Sequence, residues 1–356
     1  MRTFFKYLSR LFFFLALVIV LYFSIIILTG IFTDYHPKEI SELEISGNLE
    51  KAQISDSIFT FLSWNIGYGG LGAEMDFFYD GGKMVRPPLK LVEKYTVGIL
   101  DFFNANDSID FILLQEVDRK STRTNFQDEL SMLDGILINY SSSFGYNYKV
   151  QFIPIPLTRP LGQVEMGQAN FSRHKPASSE RYTYHSAYSW PKQLFMPDRC
   201  FVVSQFNLSN GKELVVINTH NSAYDSEGKL RNIEIPLIRD FMLNEFNQGN
   251  YVVAGGDWSQ NPPDFKPEKL RTNYQAAKTE MLDEMFFPKG WKICYDEKTP
   301  TNRKVDIPLT KGKTEATVID YFILSPNLDL TEIKTHSLNF QYSDHNPVFL
   351  KIRLKN

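Results

Sequence analysis

Asn65, Glu116, His220, Asp257 and Asp320 each fall where an apolar run meets an acid, an amide or an imidazole, and the pair Asp344-His345 precedes a last apolar run, Val348 to Ile352. Strands of one sheet can bring their ends together, so these side chains can converge on one cleft. Taken singly, each has a plainer reading. Asp257 follows Gly255-Gly256 and suits a turn. Glu116 suits a solvated strand end, and His220 beside Thr219 suits a structural hydrogen bond. Six such endings in one chain favour a shared task. Carboxylate and amide oxygens suit a hard cation such as Mg²⁺, which takes oxygen ligands and keeps several waters. Zinc would call for more His or Cys. Two histidines among several acids point to metal-assisted attack on a phosphoester. The cation neutralises phosphate charge, an Asp aligns water, and a His donates to a phosphate oxygen.

The elements that must position these residues are legible in the apolar patterning. Phe59, Phe61 and Ser63 alternate with Thr60, Leu62 and Trp64 ahead of Asn65. Phe111 to Leu114 is a continuous apolar run that ends in Gln115-Glu116. Phe201 to Phe206 and Leu214 to Ile217 flank Asn210-Gly211, a strong hairpin turn. Tyr251 to Ala254 leads into Gly255-Gly256-Asp257, and Val318 to Leu324 with Val348 to Ile352 complete the strand set. Between them lie three helical stripes: Leu89, Val92, Ile99 and Phe102; Leu130, Leu133 and Leu137; and Ile233, Leu237, Ile238, Phe241 and Met242. Strands interspersed with helices predict one layered α/β domain over 58–356.

The composition bounds the rest. Hydrophobic residues at 43 % and charged residues at 22 % exclude disorder of the whole chain. The 38 basic and 41 acidic residues do not make the basic surface of a general nucleic-acid binder, although a local basic groove stays open. The 29 Phe and 18 Tyr suit a bulky sheet core, or an apolar rim facing a membrane. Cys200 and Cys294 form no CxxC pair, so a structural zinc site is not indicated. One disulfide and two buried thiols are equally compatible with them.

Residues 1–10 carry Arg2, Lys6 and Arg10 and no acid, and an apolar run follows over 11–31. About 20 residues at ~1.5 Å each span the ~30 Å of a bilayer core. A cleavable signal has a shorter apolar region and an A-x-A-like end, which Leu28-Thr29-Gly30-Ile31 matches poorly. A core helix is seldom apolar on every face. The run is therefore expected to be a single-pass anchor, with the basic flank cytoplasmic and the domain extracytoplasmic. Residues 32–57 are polar and mixed in charge and are expected to be a tether, in which Leu43-Glu44-Ile45 could add a short edge strand.

The motifs LSWNIGYGG (62–70), FILLQEV (111–117), INTH (217–220), GGDWSQNP (255–262), VIDYFIL (318–324) and SDHNPV (343–348) occur in this order. Together they resemble the endonuclease/exonuclease/phosphatase superfamily over roughly Ile58 to Leu354. The resemblance implies a four-layered α/β sandwich, two packed mixed sheets flanked by helices with a cleft at one rim. It implies a Mg²⁺ (or Mn²⁺) site at Glu116 and Asn65, with Asp344 as the second metal-proximal acid. By the same resemblance Asp257 orients or deprotonates the attacking water. His345 contacts the phosphate and is held in its tautomer by Asp320, and His220 contacts the phosphate from the other side. MGQANFSRHKP (166–176) resembles a family segment with Gln168 in place of Asn, and it brings Arg173 forward as a substrate-binding residue. Arg199 resembles an arginine that reaches the phosphate in some branches, and a structural ion pair is its plainer reading.

One departure stands out. Ser259 occupies the place of the Asn in the family's Gly-Asp-x-Asn, and it offers one hydroxyl where the family has an amide. Gln260 or Asn261 could substitute. The segment 71–88, with Phe77-Phe78-Tyr79 before Asp80-Gly81-Gly82, is either a cover for a sheet edge or a contact for substrate. Three functions follow: a phosphoesterase for a small or lipid-linked ester, a nuclease, or a binding protein that kept the fold without turnover. The partners expected are a phosphoester and a membrane, with nucleic acid less favoured.

Overall fold

The computed structural model describes residues 2–47, 49–50, 53–186, 188–223, 225 and 228–355. Met1 of the basic flank, Asn48, Lys51 and Ala52 of the expected tether, and Asn356 lie outside the described residues. The helices are α1 (Arg2–Thr33), α2 (Leu89–Ala105), α3 (Glu129–Ile136) and α4 (Arg231–Asn247). In chain order the first strands are β1 (Ile40–Glu42), β2 (Ile45–Ser46), β3 (Ile58–Asn65), β4 (Phe111–Asp118), β5 (Ser141–Ile153) and β6 (Gly162–Ser172). Next come β7 (Ser178–Thr183), β8 (Cys200–Asn207), β9 (Glu213–His220), β10 (Tyr251–Asp257), β11 (Gln275–Ala276) and β12 (Lys292–Cys294). The last are β13 (Asn302–Arg303), β14 (Glu315–Thr317), β15 (Asp320–Leu324), β16 (Leu328–Thr335) and β17 (Val348–Leu354).

Two seven-stranded sheets carry the domain, in the orders β1-β7-β8-β9-β10-β15-β12 and β16-β17-β3-β4-β6-β5-β2. Each is antiparallel except for one central parallel pair, β9 with β10 and β3 with β4. Period-two alternation sorts the side chains of β3 into layers. Phe59 and Phe61 face the other sheet, where they pack with Phe111, Phe206, Leu214, Val253 and Phe322. Leu62 and Trp64 face outward against Ile99 and Phe103 of α2 and Leu130 and Leu133 of α3. On the far side, Val215, Ile217 and Val252 pack under Ile235, Ile238 and Met242 of α4. The expected four-layered α/β sandwich is observed. The apolar stripes differ in detail: Ile238 and Met242 of the expected stripe are buried, but Ile233 is 44 % exposed and Ile235, one turn before Ile238, is buried instead.

Cys200 and Cys294 are free, buried thiols. The hairpin turn sits between β8 and β9, with Gly211 at φ +78°, a conformation that favours glycine. Between the sheets, near their upper rim, runs a polar chain. Gln115 Nε2 donates to Asn218 Oδ1 (2.7 Å) and to Ser63 Oγ (3.2 Å). Asn218 Nδ2 donates to Asn170 Oδ1 (2.9 Å) and to the Leu114 carbonyl (3.0 Å). Buried hydrogen-bonded networks of this kind help fix one register, and this one joins the residues that precede Glu116 and His220 in their strands, although Gln115 Oε1 has no partner.

The expected tether is corrected. Within 32–57, β1 pairs with β7 at the edge of one sheet, and β2 pairs with β5 at the edge of the other. Ile54 is buried in the intersheet core and bridges to Leu208. The short edge strand suggested at Leu43-Glu44-Ile45 has its counterpart in β2, which begins at Ile45, whereas the three-residue β1 carries no pattern in the sequence. The apolar N-terminal helix is present: α1 spans 32 residues and is long and apolar enough to cross a membrane. Its last turns rest on the domain, with Ile26 and Gly30 buried and Gly30 against Leu194 and Phe195.

Next to this joint lies Asp198. Burial, helped by the Asp34 charge and opposed by Arg181 and His36, raises its carboxyl to about 7. A carboxyl raised on folding favours the fold while protonated. Its contribution is full below the unfolded value, near 4, and is lost as pH rises through 7. Asp198→Asn, which cannot ionise, should therefore raise Tm at pH 8 by about 2–4 °C for each kcal/mol recovered, and leave it unchanged near pH 4. Thermal melts at the two pH values check this, and an equal shift at both would refute the buried charge.

Candidate active site

The ends of β3, β4, β9 and β10 meet at one rim, because each of the two parallel pairs runs toward it. Asp320 opens β15 instead of closing a strand, yet it reaches the same rim because β15 is antiparallel to β10 and pairs Asp320 with Asp257. Glu116 sits at a register shift between β4 and β6 and has φ +55°. A non-glycine residue held in this region is strained, and such bulges re-aim side chains beside functional sites. The turn 343–346 is pinned from below: Ser343 Oγ donates to the Asn65 carbonyl (2.8 Å), and Trp64 Nε1 donates to the His345 carbonyl (2.9 Å).

The side chains converge. Asn65 Nδ2 lies 3.1 Å from Asp257 Oδ2 and 3.3 Å from Glu116 Oε1, and its Oδ1 accepts the Gly67 N–H at 3.0 Å. His220 Nε2 lies 3.6 Å from Asp257 and 3.7 Å from Glu116. His345 Nε2 lies 3.7 Å from Asp257 and 3.9 Å from Asp344, while its Nδ1 is 2.8 Å from Asp320. Thr301 Oγ1 accepts the Asp320 N–H at 3.1 Å and holds that acid in place. All of these groups except Glu116, which is partly exposed, are buried.

The two imidazoles are poised oppositely. Burial lowers His220 well below the usual range, and the positive charges of Arg199 and His345 add to this, so it is neutral. Burial also opposes a charge on His345, but the Asp320 and Asp344 carboxylates outweigh it and hold His345 well above the usual range. The Nδ1–H then donates to Asp320, and Nε2 faces the cleft beside the Asn302 side-chain amide, 2.9 Å away. Burial raises Glu116, against the pull of Arg123 and Arg199. Burial carries Asp344 to about 7, with Glu116 adding to it against His345.

Buried acids that raise one another's pKa are the condition a divalent cation relieves. Among the described residues, Asp257, Asp320 and His345 bring ligand atoms within 4.8 Å of one another. There the 2.8 Å Asp320–His345 hydrogen bond already occupies Nδ1. Glu116 and Asp344 offer carboxylate oxygen on the cleft side and so suit a hard cation better, while the Asn65 amide N–H holds Glu116 in place beside them.

Arg199 is 8 % exposed and lines the cleft, and its Nη1 has no hydrogen-bond partner. That removes the structural ion pair as its plainer reading at this nitrogen. Arg173 is corrected. It follows β6 at the opposite rim, where its backbone N–H donates to the Asp110 carbonyl. The run from Met166 to Arg173 leads away from Glu116 along an antiparallel strand, by about 20–24 Å at strand rise. Gln260 and Asn261 do not line the cleft. Asn261 ties down the 279–282 segment instead, accepting the Thr279 N–H and donating to the Val318 carbonyl.

Ser259 does line the cleft, at φ +53°. Its N–H donates to Asp257 Oδ1 (2.8 Å) and its Oγ to the Asn221 carbonyl (3.1 Å). Asn tolerates this left-handed backbone better than Ser does. Ser259→Asn is therefore expected to leave kcat/KM equal or higher. A loss beyond about tenfold would show that the site is built around the hydroxyl.

Several cleft residues carried no sequence signal. Asn302 places its side-chain amide 2.9 Å from His345 Nε2. Arg303 donates to the carbonyls of Leu71 (3.1 Å) and Gly72 (2.8 Å), which fixes the 71–88 segment. Arg123 pairs with Asp118 at 2.8 Å and lies 3.5 Å over the Tyr68 ring. The segment 71–88 forms cleft wall, since Leu71, Phe77, Tyr79 and Asp80 line a cavity of about 830 Å³ that has the acids and imidazoles at its floor. An apolar stretch of wall continues from this segment through Tyr148, Pro154, Ile155, Leu161, Phe195 and Met196, with Tyr79 packed against the cluster of Tyr148 and Leu161.

No protein-family model and no curated protein matches the chain. Solved structures do. An endonuclease/exonuclease/phosphatase from Beutenbergia cavernae DSM 12333 superposes with TM-score 0.56 at 14 % identity, over 85 % of this chain and 72 % of the other. One from Bacteroides vulgatus gives 0.52 at 16 % identity, over 84 % and 100 %. ANGEL2, a 2′,3′-cyclic phosphatase, gives 0.55 at 15 % identity, over 90 % and 100 %. The layers, the parallel pairs that feed one rim and these neighbours agree: the chain has the endonuclease/exonuclease/phosphatase fold.

Proposed function

We propose that the protein is a membrane-anchored, divalent-metal-dependent phosphoesterase whose catalytic domain lies on the extracytoplasmic side. The observation that carries this reading is Asp257, flanked by Asn65, His220 and His345, on the floor of a cavity shared with Glu116, Asp344 and Arg199. Glu116, Asn65 and Asp344 would hold Mg²⁺ or Mn²⁺, which supplies charge neutralisation at the phosphate. Asp257 accepts hydrogen bonds from the cleft side and orients the attacking water. Arg199 offers an unpartnered guanidinium N–H to an anionic oxygen. The His345 imidazolium, kept charged by Asp320 and Asp344, donates to the phosphate. His220, kept neutral, can share a proton without repelling Arg199. The anchor is α1, whose Arg2, Lys6 and Arg10 favour a cytoplasmic N-terminus.

The favoured substrate is a small or lipid-linked phosphoester. The cavity volume of about 830 Å³ falls in the range of small-molecule sites, and its wall is apolar on one side. A nuclease is the second reading, and the lysines Lys192, Lys278 and Lys304 around the cavity are what favour it. The two separate in kcat/KM for plasmid DNA, a short oligonucleotide, a phospholipid and an inositol phosphate at near-physiological salt. The first reading expects turnover of the lipid or the small ester over duplex DNA. Efficient, steeply salt-dependent cutting of duplex DNA alone would leave the nuclease.

A further inference from the structure

The joint between α1 and the domain determines what lies at the membrane surface. Phe4 to Ile25 of α1 are turned away from the domain, nearly all of them exposed. The apolar run itself, residues 11–31, rises about 32 Å, enough to fill a bilayer core, so its last turns lie at the bilayer edge. Burial begins at Ile26, and Gly30 packs on Leu194 and Phe195. Tyr35, just past the helix, packs on Tyr146 of β5 at 6.2 Å. The domain is therefore held against the end of the helix, and the 192–195 turn stands level with the bilayer edge.

The same turn is part of the apolar cavity wall. Tyr148 Oη donates to the Phe195 carbonyl (2.8 Å), and both residues line the cavity with Ile155. Around this wall, large apolar side chains face outward: Leu157 is 60 % exposed, Trp190 62 % and Ile155 42 %. Arg159 and Lys192 lie on the same two segments. Exposed aliphatic and indole side chains flanked by cations are the composition that interfacial segments use on anionic membranes.

We propose that the rim formed by the 152–159 loop and the 190–192 segment docks on the bilayer that α1 crosses, so that the cavity wall beside the catalytic floor meets lipid headgroups. The proposal rests on the reading of α1 as an anchor. The occupant is the lipid surface and not a second protein. The argument is continuity: the helix that enters the bilayer packs on the turn that carries this rim, and the charge on the rim is positive.

The natural cysteines are both buried, so a single introduced cysteine can be labelled selectively. The full chain is reconstituted in phosphatidylcholine vesicles containing phosphatidylglycerol, with an environment-sensitive fluorophore at Leu157→Cys or Trp190→Cys. Doxyl-labelled lipids are then added. Ile138→Cys, 75 % exposed before the opposite end of β5, is the reference. The expected result is quenching of at least about two-fold at positions 157 and 190, with a blue-shifted emission, and little at 138. Equal, weak quenching at all three sites in vesicles that carry the protein on flotation would overturn the docking and leave the anchor standing. Failure of the chain to float would remove the anchor itself, and the docking with it.

Discussion

Asp257→Asn is expected to lower kcat by about 10²–10⁴-fold, the range that a positioned acid or base contributes. The substitution keeps the side-chain shape. Asn can still accept the Ser259 N–H that Asp257 Oδ1 now accepts at 2.8 Å. What it loses is the anionic oxygen that lies 3.1 Å from the Asn65 amide and 3.6 Å from His220. One neutral hydrogen bond is worth about 1 kcal/mol, so the fold should survive with at most a small fall in Tm. Activity and stability must therefore separate. If kcat falls only in proportion to folded protein, Asp257 is a structural turn residue, which was its plainer reading.

The second large effect is expected at Glu116. Glu116→Gln retains length and an oxygen that can accept from the Asn65 amide, now 3.3 Å away, but removes the charge. Mg²⁺ affinity should fall sharply by titration calorimetry, and kcat at fixed Mg²⁺ should fall by about 10²–10³-fold. Raising the metal concentration should recover part of the loss. Because Glu116 occupies strained backbone at φ +55°, the substitution is confined to the side chain and leaves the bulge in place. Unchanged affinity in the variant would move the metal away from this acid.

Much of the fold and of the site could be read from the chain, for a physical reason. A strand buried on both faces is a near-continuous apolar run, so its end is conspicuous when it meets Asn65, Glu116, His220 or Asp257. What could not be read has a reason of its own. Arg123 comes from a three-residue 3₁₀ turn and Asn302 and Arg303 from a two-residue strand, too short for any period to announce which way a side chain points. Arg173 was drawn in by the motif around it, but a motif does not state strand direction, and β6 carries it to the far rim. The 32–57 segment looked polar because β1 and β2 are edge strands, each with one neighbour and little buried surface.

The neutral His220 and the charged His345 tie these pieces together. Both face Asp257 at nearly equal distance, yet burial and the nearby Arg199 charge lower His220, whereas the Asp320 and Asp344 carboxylates outweigh burial and raise His345. Groups whose environments push them apart in this way are those a hydrolytic site assigns to different proton positions.

The central claim is metal-dependent phosphoester hydrolysis in this cavity. Its most direct test is the turnover of a chromogenic phosphodiester by the full chain in detergent, with Mg²⁺ or Mn²⁺ and with excess chelator, beside Asp257→Asn. The account predicts turnover by the wild-type chain with metal, its loss in chelator, its return when metal is added back, and near-background rates for the variant throughout. Undiminished turnover in chelator, or in Asp257→Asn, would contradict it.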